Sequence, residues 1–142
     1  MGVAYHEKFG QYDLGAGHSF RGDRFVNAIH FFEEQGLFRL PHVTMLTPKP
    51  VTKQDLLKVY NEKYVNLIYR LAETSKSYDI QTPVSPQILE ATQLIVGGAM
   101  EAGSVGYKSE VSRGVAFGCG FHHARGNYGG GFCLFNDIVV LE

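Results

Sequence analysis

A long helix with an inward stripe of small residues is the sequence feature that most limits the possible folds. Ser85 followed by Pro86 is a typical helix start, because serine caps free backbone N–H groups and proline fits the first helical turn. The apolar spacing predicts a helix that runs to about Gly106. The inward stripe consists of Ile88, Ala91, Ile95, Gly98 and Ala102. Since glycine inside a helix costs about 1 kcal/mol relative to alanine, the stripe indicates that another element approaches this helix closely.

Short apolar runs precede and follow the helical segments. The candidate strands cover residues 1–5, 43–46 and 114–117, and we expect the last of them to be fully buried. Strands that alternate with helices favour an α/β fold with a parallel sheet. We find no internal repeat and no second domain.

Three further helices are indicated by their capping residues. Asp23 is the expected cap of a helix that starts near Arg24 and ends before Gly36. Thr52 and Asn61 are the expected caps of the next two helices. Residues 74–85 are polar and contain proline, so we expect an exposed loop there.

The charge and cysteine content exclude several classes of protein. The net charge is −1, with acids and bases spread evenly, so no basic stripe is available for general binding of nucleic acid or membrane surfaces. No apolar run reaches transmembrane length, and the N-terminus lacks a signal-peptide pattern. Cys119 and Cys133 fit neither a disulfide framework nor a Cys-x-x-Cys metal site. We therefore expect a cytoplasmic protein.

A glycine-rich stretch, GCGFHHARGNYGGGFCLFND, covers residues 118–137 and follows the third candidate strand. In open α/β sheets, sites form beyond the carboxyl ends of the strands. Adjacent histidines on a loop can both point into one cavity, where they would serve as general acid or base and titrate as a coupled pair. An exposed His-His pair without function is the alternative from these residues alone.

Two other sites are possible in this stretch, and both have weak support. Zinc could use Cys119, His122, His123 and Cys133, but their spacing matches no zinc ribbon or finger. A phosphate loop could use the glycines, but no Lys-Ser/Thr follows and no Gly-x-Gly-x-x-Gly is present.

The ordered motifs of this stretch resemble the histone deacetylase superfamily, the zinc-dependent deacetylases that include acetoin-utilisation proteins. The matching parts are His122-His123-Ala124, Gly131-Phe132-Cys133 and Asn136-Asp137. Upstream, Gly17, His18 and Arg24 also fit the family, whereas Ser19 and Gly22 stand where prolines are common. Gln81 stands near the place where many members carry an acidic residue that grips the substrate backbone.

The resemblance implies a role for each matching residue. His123 resembles the general base that activates water and then protonates the leaving amine, and His122 resembles its electrostatic partner. Gly131 and Phe132 resemble a wall of the tunnel that holds the acylated chain. Arg24 resembles a residue of the cavity below the tunnel, with a structural ion pair as the alternative. The implied substrate is an acetylated lysine or another acetylated amine. Asn136 and Asp137 are expected to cap the last helix.

The resemblance also implies a zinc ion held by an Asp-x-His and a further aspartate on later elements. No Asp-x-His occurs in the 142 residues, so we expect this chain by itself to bind no catalytic zinc and to be inactive. Residues 1–142 are then the N-terminal part of a single deacetylase-like domain. Its three-layer parallel sheet, flanked by helices in the arginase/deacetylase-like manner, would be incomplete here, with one exposed edge.

Two hypotheses compete with an enzyme fragment. The first is a non-catalytic module that binds an acyl ligand or a partner, including a second copy of itself, through the exposed sheet edge. The second is a phosphate- or nucleotide-binding protein, which only the glycine clusters suggest.

Overall fold

A three-stranded parallel sheet forms the centre of the computed structural model, which describes residues 1–141. Strand β1 (Gly2–Ala4) lies between β2 (Thr44–Leu46) and β5 (Gly114–Ala116). The register aligns Val3 with Met45 on one side and with Val115 on the other. All of β1 is buried, because it pairs on both sides. The predicted α/β fold is confirmed.

Strand β5 is not buried as the sequence predicted. Val115 is 37% exposed, because β5 forms an edge of the sheet and pairs only with β1 among the described residues. An apolar run of four residues indicates a strand, but it cannot show whether the strand lies at the centre or the edge.

Helix α4 (Pro86–Tyr107) is the long helix that the sequence predicted. The Ser85 hydroxyl accepts a hydrogen bond from the Ile88 amide at 3.2 Å and so caps the helix start. The predicted small stripe is buried, but so are residues around most of the helix circumference, including Leu94 and Val96. The closest approach is made at Gly97, where an added Cβ would overlap the carbonyl of Lys49.

Four further helices surround the sheet and α4. They are α1 (Asp23–Glu34), α2 (Lys53–Leu57), α3 (Glu62–Thr74) and α5 (Asp137–Leu141). Short 3₁₀ helices cover Glu7–Gln11 and Leu37–Arg39. α4 packs against β1, β5, α3 and α5, whereas α1 reaches the end of β5 through the rings of Phe32 and Phe117, whose centroids are 5.8 Å apart.

Most of the predicted helix caps are confirmed. Thr52 forms a reciprocal capping box with Asp55, and the Asn61 side chain accepts from the Lys63 amide at 2.8 Å. Asp23 is an exception, since it is the first residue of α1 and forms an ion pair with Arg21 instead of capping the helix.

The segment 74–85 contains a small hairpin and is only partly an exposed loop. Strands β3 (Ser77–Asp79) and β4 (Thr82–Pro83) pair antiparallel. Thr82 and Val84 are buried, which the polar composition of the segment did not predict. No helix among residues 1–141 is long and apolar enough to cross a membrane.

Candidate active-site loop

His122 and His123 lie beside each other on the loop that follows β5, and both are exposed. Their ring centroids are 4.2 Å apart, with an angle of 43° between the planes. Nδ1 of His122 is 2.8 Å from the carbonyl oxygen of Gly120. Because a carbonyl only accepts hydrogen bonds, the neutral His122 ring carries its proton on Nδ1. The two imidazoles therefore lie side by side, and their opening into one shared cavity stays a prediction.

The start of α5 fixes the backbone on both sides of the histidine pair. Asn136 caps α5, as predicted: its side-chain oxygen accepts from the amides of Ile138 and Val139 at 3.0 and 3.2 Å. Its side-chain nitrogen lies 3.3 Å from the carbonyl oxygens of both His122 and Ala124. One asparagine thus joins the helix start to the histidine loop.

Asp137 does not have the helix-capping role that the sequence predicted. Its buried carboxylate does not cap α5 but accepts hydrogen bonds from the amides of Gly120 and Phe121 at 3.0 and 2.6 Å. Hydrogen bonds to a charged acceptor are stronger than those between neutral groups. Asp137 therefore holds the residues that lead into the histidine pair.

Gly131 lies next to His123, and Phe132 follows it, at the two positions where the sequence predicted a substrate-binding wall. A Cβ added to Gly131 would come within 2.8 Å of Cδ2 of His123. Both residues have left-handed backbones, with φ of +50° at Gly131 and +56° at Phe132. The Phe132 ring is half-buried, and its centroid is 5.3 Å from those of His18 and Phe20.

Four tyrosine hydroxyl groups bind the backbone of the segment 129–136. Tyr12 donates to the Phe132 carbonyl, and Tyr64 donates to the Leu134 carbonyl at 2.7 Å. Tyr60 accepts from the Asn136 amide at 2.6 Å, and Tyr78 accepts from the Gly129 amide at 3.1 Å. Each pair is separated by 51 or more residues in sequence, so no local pattern could have indicated these contacts.

Burial keeps two of these hydroxyl groups protonated. It raises the pKa of Tyr12 and of Tyr64 well above the ordinary tyrosine value, with a smaller contribution from neighbouring titratable groups. Both side chains therefore remain hydrogen-bond donors to the loop throughout the physiological pH range.

Arg24 is exposed, and its guanidinium carbon lies 4.0 Å from the ring centroid of Phe20 and 4.9 Å from that of Phe25. The ion pair of this segment joins Arg21 to Asp23, and Arg24 forms none within residues 1–141. Phe20 lies between Arg24 and Phe132, with its ring against both. Arg24 is thus one ring removed from the proposed substrate wall.

The residues described by the structure do not fit a zinc ion. Sγ of Cys119 lies 3.6 Å from the Ile95 carbonyl, and burial raises the pKa of this thiol and that of Cys133. Burial thus favours the neutral thiol at both positions and disfavours the thiolate that a zinc ligand must become. Among residues 1–141, no three His, Cys, Asp or Glu side chains are placed to hold one metal ion.

A parallel sheet flanked by helices, with paired histidines on the loop after a strand, makes this an α/β domain with a candidate site beyond the carboxyl end of that strand. The family model described as histone deacetylase domain matches residues 18–141. The chain therefore belongs to the histone deacetylase family, which is a lineage of hydrolytic deacetylases.

Similar proteins occur in archaea, eukaryotes and bacteria. A probable deacetylase of Archaeoglobus fulgidus is 24% identical over 144 residues, which cover 99% of this chain and 39% of that protein. Histone deacetylase RPD3 of Saccharomyces cerevisiae is 27% identical over 146 residues, with 96% and 33% covered. The acetoin utilization protein AcuC of Bacillus subtilis is 28% identical over 105 residues, with 68% and 27% covered.

The fold also matches that of a solved structure. The crystal structure of the HDA15 HD domain matches with a TM-score of 0.83 at 20% identity, covering 99% of this chain and 41% of that one. The chain thus spans about two fifths or less of the length of the proteins it matches.

Proposed function

We propose that this chain supplies the proton-transfer part of an enzyme that removes acetyl groups from lysine-like amines. The observation that carries the proposal is the exposed pair His122–His123, with Gly131 against His123, in a chain of the histone deacetylase family. The substrate is an acetylated lysine or another acetylated amine.

His123 is the general base in this proposal. It takes the proton of the attacking water and passes it to the leaving amine, a contribution of about 10²–10⁴-fold to the rate. His122 lies with its ring against that of His123 and is fixed by its bond to the Gly120 carbonyl. His122 is the electrostatic partner in this proposal and stabilises the charge that develops in the transition state.

The apolar ring of Phe132 forms the wall for the methylene groups of the substrate. Gly131 leaves the space between this wall and His123 free of a side chain. Arg24, placed on Phe20 behind Phe132, belongs to the same proposed pocket.

Zinc is the proposed cofactor of the family enzyme, but residues 1–141 do not offer its ligands. We therefore propose that the 142-residue chain by itself binds no catalytic zinc and does not turn over substrate. The test is a zinc titration by calorimetry together with an assay on a fluorogenic acetyl-lysine peptide. Tight binding of one zinc per chain with turnover would contradict this.

The role of His123 requires a separate test in the longest reading frame that contains this sequence. His123→Ala should lower kcat by about 10²–10⁴-fold on an acetylated amine. His30→Ala, which removes an exposed histidine from α1, should leave kcat unchanged. Equal activity of the two variants would overturn the assignment of His123.

A non-catalytic module is the second candidate, and the exposed edge strand β5 favours it. In that case the chain binds an acyl ligand or a partner without turnover. His123→Ala, made in the longest reading frame that contains this sequence, separates the two candidates. An enzyme would show a lower kcat in this variant, whereas a non-catalytic module has no turnover to lose. The cytoplasm remains the proposed compartment, consistent with two unpaired thiols.

A further inference from the structure

A cleft of about 650 Å³ lies on the outer surface of α2 and α3, and no residue of the histidine loop lines it. Every residue that lines it carries a polar or charged group. These residues are Lys53, Lys63, Asn66, Tyr69, Arg70 and Glu73. A volume of this size is typical of pockets for small molecules.

The cleft concentrates positive charge in a protein whose net charge is −1. Three cationic side chains face one carboxylate, that of Glu73. Within residues 1–141, neither lysine nor Arg70 forms an ion pair; the ion pairs of the chain join other residues. The charge of the cleft is therefore largely uncompensated.

Lys63 stands at an unfavourable position for a cation. It is the second residue of α3, a helix of 13 residues, and the partial positive charge at a helix start disfavours lysine there. Asn66 and Arg70 follow at helical spacing and continue the same face of α3. Glu62, in the same first turn, offsets part of this effect, and an anion bound beside Lys63 would offset the rest.

Tyr69 adds a fixed hydrogen-bond donor to the cleft. Its hydroxyl accepts from the side-chain nitrogen of Gln93 at 2.9 Å, and that same nitrogen lies 3.0 Å from the Val51 carbonyl. The hydroxyl position is thereby set, while its own proton has no acceptor among the described residues. Partial burial raises the pKa of Tyr69, so the proton is retained. Lys53 lies beside it, with Nζ 5.3 Å from the ring centroid.

We propose that this cleft binds a small anion that carries several phosphate groups. Lysine and arginine neutralise the charge, Arg70 offers a planar pair of donors to one phosphate, and the Tyr69 hydroxyl donates to another oxygen. No residue of the histidine loop takes part in this site, so failure of the anion-binding proposal would not contradict the proposed function.

The test uses sodium tripolyphosphate as the probe and backbone amide NMR of the whole 142-residue chain, at constant ionic strength because screening weakens exposed charge pairs. We expect saturable shifts centred on residues 62–73. Citrate serves as the comparison anion, and we expect it to bind more weakly. The absence of saturable shifts at millimolar tripolyphosphate, or equal binding of citrate, would overturn the proposal.

Matched variants locate the site. The double variant Lys63→Gln with Arg70→Gln should weaken tripolyphosphate binding at least about tenfold, the scale of one charge-assisted hydrogen bond. Arg39→Gln with Lys108→Gln makes the same charge change at exposed residues outside the cleft, and should leave affinity within about twofold at constant ionic strength. An equal loss in both variants would show general attraction and reject the site.

Tyr69→Phe tests the hydroxyl donor without a change in charge. We expect a loss in affinity of about fivefold or more, with the far-ultraviolet circular dichroism and the urea midpoint reported alongside to confirm folding. Unchanged affinity in this folded variant would contradict the role of Tyr69. If the variant unfolds, the lysine and arginine variants decide the proposal.

Discussion

Gly131 and Phe132 adopt consecutive left-handed backbone conformations, and Gly131 lies beside His123. For phenylalanine, this conformation costs on the order of 1–2 kcal/mol, and the surroundings must offset it. Here the Tyr12 hydroxyl binds the Phe132 carbonyl, and the Phe132 ring packs against His18 and Phe20. Contacts from the N-terminal segment thus stabilise the strained backbone of the proposed substrate wall.

The variant Gly131→Ala separates backbone strain from contact with the histidine. Both Gly131 and Gly36 have left-handed backbones, but only at Gly131 does an added Cβ approach His123. We expect Gly131→Ala and the control Gly36→Ala each to lose about 1–2 kcal/mol in the free energy of unfolding. Only Gly131→Ala should shift the ring-proton NMR signals of His123. Unshifted His123 signals in a folded variant would contradict the observed proximity.

Helix α4 is the element against which the rest of the molecule packs. A close approach to this helix is present, but its tightest point is Gly97, one residue away from Gly98 of the predicted stripe. The backbone of the segment that leads from β2 to α2 makes this contact. At Gly97 that backbone leaves no space for a side chain, whereas at Gly106 the nearest atom to an added Cβ is 3.9 Å away.

Gly97→Ala should therefore destabilise the protein by about 1–3 kcal/mol or more, because a rigid backbone carbonyl must move. Gly106→Ala makes the same chemical change in the same helix without this contact. It should be neutral or stabilise by up to about 1 kcal/mol, since alanine favours the helix. Urea unfolding followed by circular dichroism measures both. A Gly97→Ala variant as stable as wild type would refute the close packing.

The tyrosines that hold the segment 129–136 should make stability depend on alkaline pH. Because burial raises the pKa of Tyr12 and Tyr64, the folded protein keeps these protons after the unfolded chain loses them near pH 10. The stabilisation is complete below about pH 10 and is lost as pH rises above it.

Each of these two tyrosines should contribute a loss of about 1.4 kcal/mol per pH unit above about pH 10. Tyr64→Phe should therefore show a shallower decline than wild type in urea unfolding measured between about pH 9 and about pH 11. Tyr107→Phe is the matched control, because Tyr107 is 92% exposed. Identical slopes for all three proteins would argue against buried, neutral hydroxyl groups.

At the scale of the whole molecule, the sheet ends in an exposed apolar strand. Val115 of β5 and Met45 of β2 are both partly exposed, and both align with Val3. An edge strand with unpaired backbone groups and apolar side chains favours pairing with another chain. We therefore expect this 142-residue chain to associate with itself at high concentration.

Val115→Lys should reduce this association, because a charged edge residue opposes strand pairing. Ile80→Lys adds the same charge at the hairpin between β3 and β4, where Ile80 is fully exposed, and should not change it. Size-exclusion chromatography with light scattering across a range of concentrations gives the mass of each species. A wild-type protein that stays monomeric throughout would contradict the prediction.

Family and local structure could be predicted because their determinants lie within a few residues of one another. Thr52, Asn61 and Ser85 cap helices through amides two or three residues away, so the sequence pattern was sufficient. The histidine motif likewise identified the family that the histone deacetylase domain match confirms. The roles of His123 and Phe132 remain proposals.

The burial of β5 and the partners of Asp137 could not be predicted in the same way. Asp137 precedes a helical run, which favours a cap, yet its carboxylate binds amides 16 and 17 residues upstream. β5 has the composition of a central strand but lies at an edge. The partners of Asp137 and the burial of β5 both depend on which distant segment of the chain packs next to that residue or strand.

By itself, the sequence determined the helix starts, the α/β class and the presence of paired histidines on a loop after a strand. These depend on local hydrogen bonds, apolar spacing and an ordered motif. Only the tertiary structure decided that Tyr12 and Asp137 hold that loop and that Gly97 meets a backbone carbonyl. Those contacts join segments that are separated in the chain, so they form and stabilise the protein only when folding brings the segments together.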